Sequence, residues 1–323
     1  MGEQRMHAAV LHGIGQVPRY EEFPAPAAGD GEAVVTVAAA ALKPFDLGWA
    51  RGVHHASPTT FPQVAGADGV GRLEDGTRVA FFAPQRPYGG MADRALVREG
   101  LWFAVPEGVD DVTAAAVMNP GGAAWKTLFM EGELAPGQTV LVLGATGTSG
   151  RIAAQLACRQ GARVVVAGRN QRVLDELVAA GAPAAIRVDR PRGELVEAIL
   201  AAAPYDLIVD YLWGPPAEAV LAALLRPEAQ GAAPRRTRYL LVGMTAGEVA
   251  GVPAMALRNP RVELFGSGTR GQSSLESAAT GFNTILGHIA AGEIALAVDA
   301  VPLADIESVW PLAGSDRRTV FVP

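Results

Sequence analysis

Cysteine is almost absent: Cys158 is the single one among 323 residues. That scarcity excludes an intrachain disulfide and any multi-cysteine zinc site. Cys158 itself lies in an Ala/Leu-rich helical run, where its ordinary role is that of a small buried hydrophobe rather than a nucleophile. Charge is sparse too, at 19% of residues with a net of −6. This balance argues against nucleic acid or an anionic membrane surface as the main partner, since both need clustered Lys and Arg. No apolar run approaches the ~18 residues of a membrane-spanning helix. The first residues, Met1-Gly2-Glu3-Gln4-Arg5-Met6, lack the apolar core of a signal peptide, and Met6 breaks the myristoylation pattern. Internal repeats and low-complexity tracts are missing apart from scattered Ala runs. The expectation is a soluble, cytoplasmic protein.

What is present is apolar material, half of all residues, enough for a sizeable core in two domains. The chain changes texture near residue 118. Before it, short β-branched or alternating runs are broken by Gly and Pro: Met6–Leu11, Ala33–Ala39, Gly69–Leu73 and Thr77–Phe82 read as strands of a β-rich unit. After it, apolar strands alternate with helices. Thr139–Leu143, Arg163–Ala167, Ala185–Val188, Asp206–Leu212, Tyr239–Met244 and Val262–Phe265 are the expected strands. Helices are expected to about Gln160, over Arg172–Ala180, Glu194–Ala202 and Ala217–Leu225. Such alternation predicts a doubly wound α/β fold with a parallel sheet covered on both faces. A long helical stretch near Gln272–Ala291, a strand-like Ile294–Val301 and a terminal Arg318–Val322 are too few for a third domain, so the tail is expected to complete the first.

The segment Gly144-Ala145-Thr146-Gly147-Thr148-Ser149-Gly150 lies between an expected strand and helix. Ala145, Gly147 and Gly150 have the spacing of the dinucleotide fingerprint. The second small residue lets the backbone approach a pyrophosphate, the third lets helix and strand pack closely, and the helix N-terminus faces the negative charge. About 20 residues further on, NAD-binding chains place an acid against the ribose 2′-hydroxyl. Here the residues are Gly168-Arg169-Asn170. Arg169 can pair with a 2′-phosphate and Asn170 can add a donor, which favours NADPH; the alternative is that Arg169 is a solvated loop charge.

These segments and their neighbours carry a resemblance over nearly the whole chain. They are Leu42-Lys43-Pro44-Phe45-Asp46, Val64-Ala65-Gly66-Ala67-Asp68-Gly69-Val70-Gly71, Gly76-Thr77-Arg78-Val79, Tyr88-Gly89-Gly90-Met91-Ala92, Ala114–Pro120 and Ala124-Trp125. In order and spacing the chain resembles the quinone-oxidoreductase branch of the medium-chain dehydrogenase/reductase superfamily. The resemblance implies a GroES-like β-rich substrate domain over 1–118 and 267–323 and a Rossmann-type NADPH domain over 119–266. It also implies a cleft between them, hydride transfer to an activated double bond or carbonyl, and a homodimer paired through Val262–Phe265. Zinc-dependent relatives have Gly-His-Glu where this chain has Gly66-Ala67-Asp68, so no metal is expected. Lys43 stands where related reductases often have Asn, and Ala123 where they often have Thr.

The protein must position a small-molecule acceptor and handle one proton. Lys43, Asp46 and Tyr88 are the catalytic candidates. Lys43 could stabilise an enolate or be bridged to Asp46; Tyr88 could donate a proton or form an apolar wall. Trp49 is a candidate pocket wall whose default role is packing. His54-His55 reads as a polar loop rather than a metal pair, because adjacent side chains diverge. Ligands bind at the carboxyl ends of parallel strands, which adds Tyr211 and Leu212, then Gly243, Met244 and Thr245, then Phe265, Gly266 and Ser267. The resemblance adds Asn119 near the nicotinamide and Arg317 or Arg318 near the cofactor. The leading expectation is a zinc-free NADPH-dependent reductase of a quinone or enone. A specialised biosynthetic reductase or cyclase-like enzyme, and a non-catalytic NADPH-binding sensor, are the alternatives.

Overall fold

The computed structural model describes residues 4–54, 56–230, 236–267, 275–312 and 317–323. The chain divides into two compact units, Met1–Gly122 with Ser274–Pro323, and Ala123–Ser273. His55 and residues 272–274 of the expected long helix lie outside the described residues.

In the first unit, β1 (Arg5–Leu11) pairs antiparallel with β2 (Arg19–Pro24) and β4 (Gln63–Val64). A larger sheet grows around β3 (Glu32–Ala41), whose Val35, Val37 and Ala39 point inward while Thr36 faces out. That period of two is what a half-buried strand requires. β5 (Asp68–Arg72) and β7 (Arg94–Arg98) flank β3, followed outward from β5 by β6 (Arg78–Phe82) and β8 (Trp102–Ala104). The tail returns to this unit through α8 (Leu275–Ala290), β15 (Val298–Pro302), the short α9 (Ile306–Val309) and β16 (Arg318–Val322), and β16 pairs with Ala40 and Ala41 of β3. Helix α1 (Pro44–Ala50) starts at Pro44, where the missing amide is harmless, and the Asp46 carboxylate accepts from the Lys43 amide at 3.0 Å. Helix α2 (Asp111–Trp125) is entered through Asp110, whose Oδ1 accepts from the Thr113 amide at 2.8 Å.

The second unit is a parallel six-stranded sheet in the order β11-β10-β9-β12-β13-β14. Its elements are β9 (Thr139–Leu143), α3 (Thr148–Arg159), β10 (Arg163–Gly168), α4 (Gln171–Ala179), β11 (Ala184–Arg187) and α5 (Arg192–Ala202). Then follow β12 (Leu207–Asp210), α6 (Gly214–Leu224), β13 (Thr237–Leu241), α7 (Ala254–Arg258) and β14 (Val262–Gly266). Every residue of β9 and β12 is buried, which is why residues 140–143 and 207–209 are continuous apolar runs. This is the doubly wound order, with β9 and β12 meeting at the switch point where such folds bind ligands.

The structure shortens two of the expected strands. β12 stops at Asp210 instead of Leu212, and β13 stops at Leu241 instead of Met244. The buried Asp210 carboxylate turns the chain by accepting from the amides of Leu212 (2.7 Å) and Trp213 (3.0 Å), so Tyr211 belongs to a loop, as does Met244 beyond the end of β13. The expected strand Ile294–Val301 begins only at Val298. No described helix is long and apolar enough to cross a membrane.

Gly71 shows how tightly the larger sheet is packed, for a Cβ there would sit 2.2 Å from the Thr36 carbonyl oxygen. Gly71→Ala is expected to destabilise the first unit by about 1–3 kcal/mol, read as a lowered urea midpoint with unchanged slope. Gly76→Ala is strained instead by its φ of +84° with open space around it, and its cost is expected near ~1 kcal/mol.

Candidate functional site

The loop after β9 is anchored on its neighbour. The amides of Gly144 and Ala145 both donate to the Ala167 carbonyl of β10, at 2.8 and 2.9 Å, and the Gly147 amide donates back to Gly144 at 3.0 Å. Gly144 has φ +83°, a value that favours glycine. A Cβ at Gly150 would meet the Gly144 oxygen at 2.2 Å, and one at Gly168 would meet Thr146 Cγ2 at 2.4 Å. Gly147 differs: its φ is ordinary, and a Cβ would meet only the Gly144 oxygen at 3.5 Å. Neither packing nor backbone strain demands glycine there, and the open space over it admits close approach of a ligand. Gly147 precedes α3 without a side-chain cap, so the first-turn amides of Thr148 and Ser149 are left for an anion or water. The residues fit a dinucleotide pyrophosphate.

The loop after β12 reaches this turn, and the loop after β13 packs on it. Tyr211 packs against the glycine loop, its Cβ lying 3.1 Å from where a Gly144 Cβ would be. A Cβ at Gly243 would lie 2.8 Å from the Tyr211 oxygen, and Thr245 Oγ1 donates to that oxygen at 3.0 Å. Met244 is exposed, Phe265 and Gly266 close β14, and the Ser267 amide donates to Leu241 at 2.7 Å. Burial pushes the Tyr211 hydroxyl well above its ordinary range. The support beneath these loops carries no sequence signal. Asp210 is fully buried, accepts from Tyr239 Oη at 2.7 Å, and is pushed up by burial against those hydrogen bonds. Trp213, at φ +57° and ψ −159°, is held in a conformation that costs a non-glycine residue about 1–3 kcal/mol.

At the end of β10, Arg169 is exposed and Asn170 Oδ1 caps α4, accepting from the Val173 amide at 3.3 Å. Asn119 is exposed on α2, next to Pro120.

The first unit contains a buried charge cluster. Lys43, only 1% exposed, donates to the Ala41 carbonyl (3.0 Å) and Asp68 (2.7 Å), with Asp46 Oδ2 at 3.3 Å. An ammonium has three protons, so none remains for an enolate. The salt-bridge alternative is the one observed, enlarged by Asp68. Asp46 is equally committed, holding the Lys43 and Ala67 amides. Burial pulls the Lys43 ammonium down, but Asp46 and Asp68 outweigh it and leave it raised; burial raises Asp68 despite Lys43. Trp49 is a core residue, 2% exposed, with the Arg86 guanidinium 4.3 Å over its ring. It is not an open pocket wall. Tyr88 sets its ring edge-on to Phe23 at 6.1 Å. The glycines after it are required because a Cβ at Gly89 would strike the Ala65 oxygen at 2.2 Å. Arg317 pairs with Asp299 at 2.5 Å, while Arg318 Nη1 donates to the Leu42 carbonyl at 2.8 Å. Both arginines therefore have partners within the first unit. Among the described residues, no group of three or more His, Cys, Asp and Glu could hold a metal.

Lys43→Met strands two buried carboxylates and is expected to cost about 3–5 kcal/mol, part of which Asp68→Asn restores in the double variant. Because the folded pKa is raised, the stabilisation is complete below the ordinary value of 10.5 and is lost as pH rises through the folded one. Urea titrations from neutral to alkaline pH measure both effects.

No family model matches the chain. Curated relatives include the quinone oxidoreductase of Pongo abelii, 29% identical over 42% of this chain and 44% of that protein. That of Rattus norvegicus is 30% identical over 43% and 45%. The chain thus matches less than half the length of these curated relatives. Among solved structures, the quinone oxidoreductase from Thermus thermophilus, studied with its NADPH complex, superposes with a TM-score of 0.81 at 26% identity. That match covers 98% of this chain and 100% of that one. In sequence the chain is similar to quinone oxidoreductases over less than half its length, and in fold it is similar to one of them over nearly all of it.

Proposed function

We propose that the chain is an NADPH-dependent oxidoreductase that works without zinc and reduces a quinone or an α,β-unsaturated carbonyl. The observation that carries this reading is the anchored glycine loop, with an exposed cationic Arg169 at the end of β10 in place of an acid. NADPH, once bound, supplies the hydride. The chain's residues bind and orient it. The amides of Thr148 and Ser149 hold the pyrophosphate beside Gly147, and Arg169 pairs with the 2′-phosphate. The loops carrying Tyr211, Gly243, Met244, Thr245, Phe265, Gly266 and Ser267 are assigned to the nicotinamide half. Lys43 and Asp46 are committed to each other within a buried cluster.

A non-catalytic NADPH-binding protein is the second reading, favoured by that same loss of Lys43 and Asp46 as free groups. NADPH oxidation, followed by the loss of its near-ultraviolet absorbance, separates the two across a panel of quinones and enones. Turnover is expected with at least one acceptor, and Arg169→Ala is expected to raise KM for NADPH by about tenfold or more. Tight NADPH binding without turnover of any acceptor would move the assignment to the second reading.

The assembly we infer is a cytoplasmic homodimer joined along β14. Within the described residues that strand pairs only with β13 and is only partly covered, and Met255 and Leu257 of the preceding helix are 59% and 66% exposed. Light scattering is expected to give twice the chain mass, and a monomer at all concentrations contradicts this.

A further inference from the structure

The carboxyl ends of β10 and β11 carry more positive charge than the cofactor reading has used. Arg187 closes β11 directly beside Gly168, and the Val188 amide donates to the Gly168 carbonyl at 3.1 Å. The segment Arg187–Arg190 therefore runs alongside Gly168 and Arg169. Arg187 grips Asp189 through two hydrogen bonds, Nε to Oδ1 at 2.7 Å and Nη2 to Oδ2. Those bonds hold the exposed Asp189 below the usual carboxylate range, and Arg169 adds to the effect, which puts it within electrostatic reach of the same carboxylate. Arg190 is half-buried, and its Nε is buried with no hydrogen-bond partner among the described residues.

Three guanidinium groups and one carboxylate leave a net charge of +2 where the second and third strands end. A phosphomonoester carries about −1.5 to −2 near neutral pH and presents three acceptor oxygens. A single loop arginine could neutralise only part of that charge. The acid differs in kind from the one that accepts a ribose hydroxyl in NAD-binding chains, because it stands just past β11 and its oxygens are engaged by Arg187.

We propose that Arg187 and Arg190 join Arg169 in a three-arginine seat for the 2′-phosphate, with Asp189 as the positioning residue that holds Arg187 in place. This rests on the dinucleotide reading above and extends it to residues on the neighbouring strand. Discrimination between NADPH and NADH is then shared by two strand ends.

Calorimetric titration of the full chain with NADPH, NADH, adenosine 2′,5′-bisphosphate and ADP tests it. Arg187→Gln and Arg190→Gln are each expected to weaken NADPH and the bisphosphate about tenfold while leaving NADH within about twofold. Asp189→Asn is expected to lower the NADPH-to-NADH preference as well, and to add nothing once Arg187 is gone. A general folding defect would weaken NADH equally, so the ratio isolates the proposed role. If Arg169→Gln collapses the ratio but the variants at the end of β11 leave it unchanged, the three-arginine seat is overturned and the cofactor reading stands. A wild-type chain that binds neither dinucleotide, or prefers NADH, overturns both.

Discussion

The Ala167 carbonyl oxygen accepts two hydrogen bonds, from the amides of Gly144 and Ala145. This anchor folds the loop after β9 back over β10, and the rest of the candidate site follows from it. Gly150 must be small because the helix then passes over the Gly144 carbonyl, and Gly168 must be small because Thr146 is pressed onto it. With both contacts made, α3 starts at Thr148 with its N-terminus uncapped. A loop tied down by its own backbone needs no side chain to hold its shape. Its amides are therefore pre-ordered for an anion, which lowers the entropy cost of binding.

A second layer of support lies under the neighbouring strand ends. The Asp210 carboxylate accepts from two backbone amides and from Tyr239, turning the chain so sharply that Trp213 takes a positive φ. The loops after β12 and β13 then lock together through the Tyr211 carbonyl. Buried polar groups of this kind stabilise only when fully paired, and the Lys43–Asp46–Asp68 cluster obeys the same rule in the other unit. There the pairing consumes the groups that looked most like catalysts.

How much of this was legible in the sequence depends on range. The strands β9 and β10 and the glycine loop were readable because a parallel sheet buried on both faces demands continuous apolar runs, and the loop sits between one such run and a helix. The ends of β12 and β13 were not, since apolar residues continue past Asp210 and Leu241; the buried Asp210 carboxylate turns the chain after β12, and the Asp210 carbonyl takes the amides that follow β13. Strands β2 and β7 were missed because Arg19, Glu21, Glu22, Arg94 and Arg98 break any apolar pattern. The Asp46 partner of Lys43 was visible three positions away. Asp68 lies 25 positions away and only the fold brings it in. Likewise the arginines at the end of β11 gain meaning from lying beside β10 in the sheet, a neighbour relation that no local spacing encodes.

The central claim is that the Gly144–Gly150 loop seats a dinucleotide pyrophosphate with the 2′-phosphate at the end of β10. A crystal structure of the chain with NADPH tests it most directly. The claim requires pyrophosphate oxygens within hydrogen-bond distance of the Thr148 or Ser149 amides, and the adenosine 2′-phosphate against Arg169. A well-ordered nucleotide bound away from the amino end of α3, or with its adenosine ribose turned away from Arg169, would contradict it.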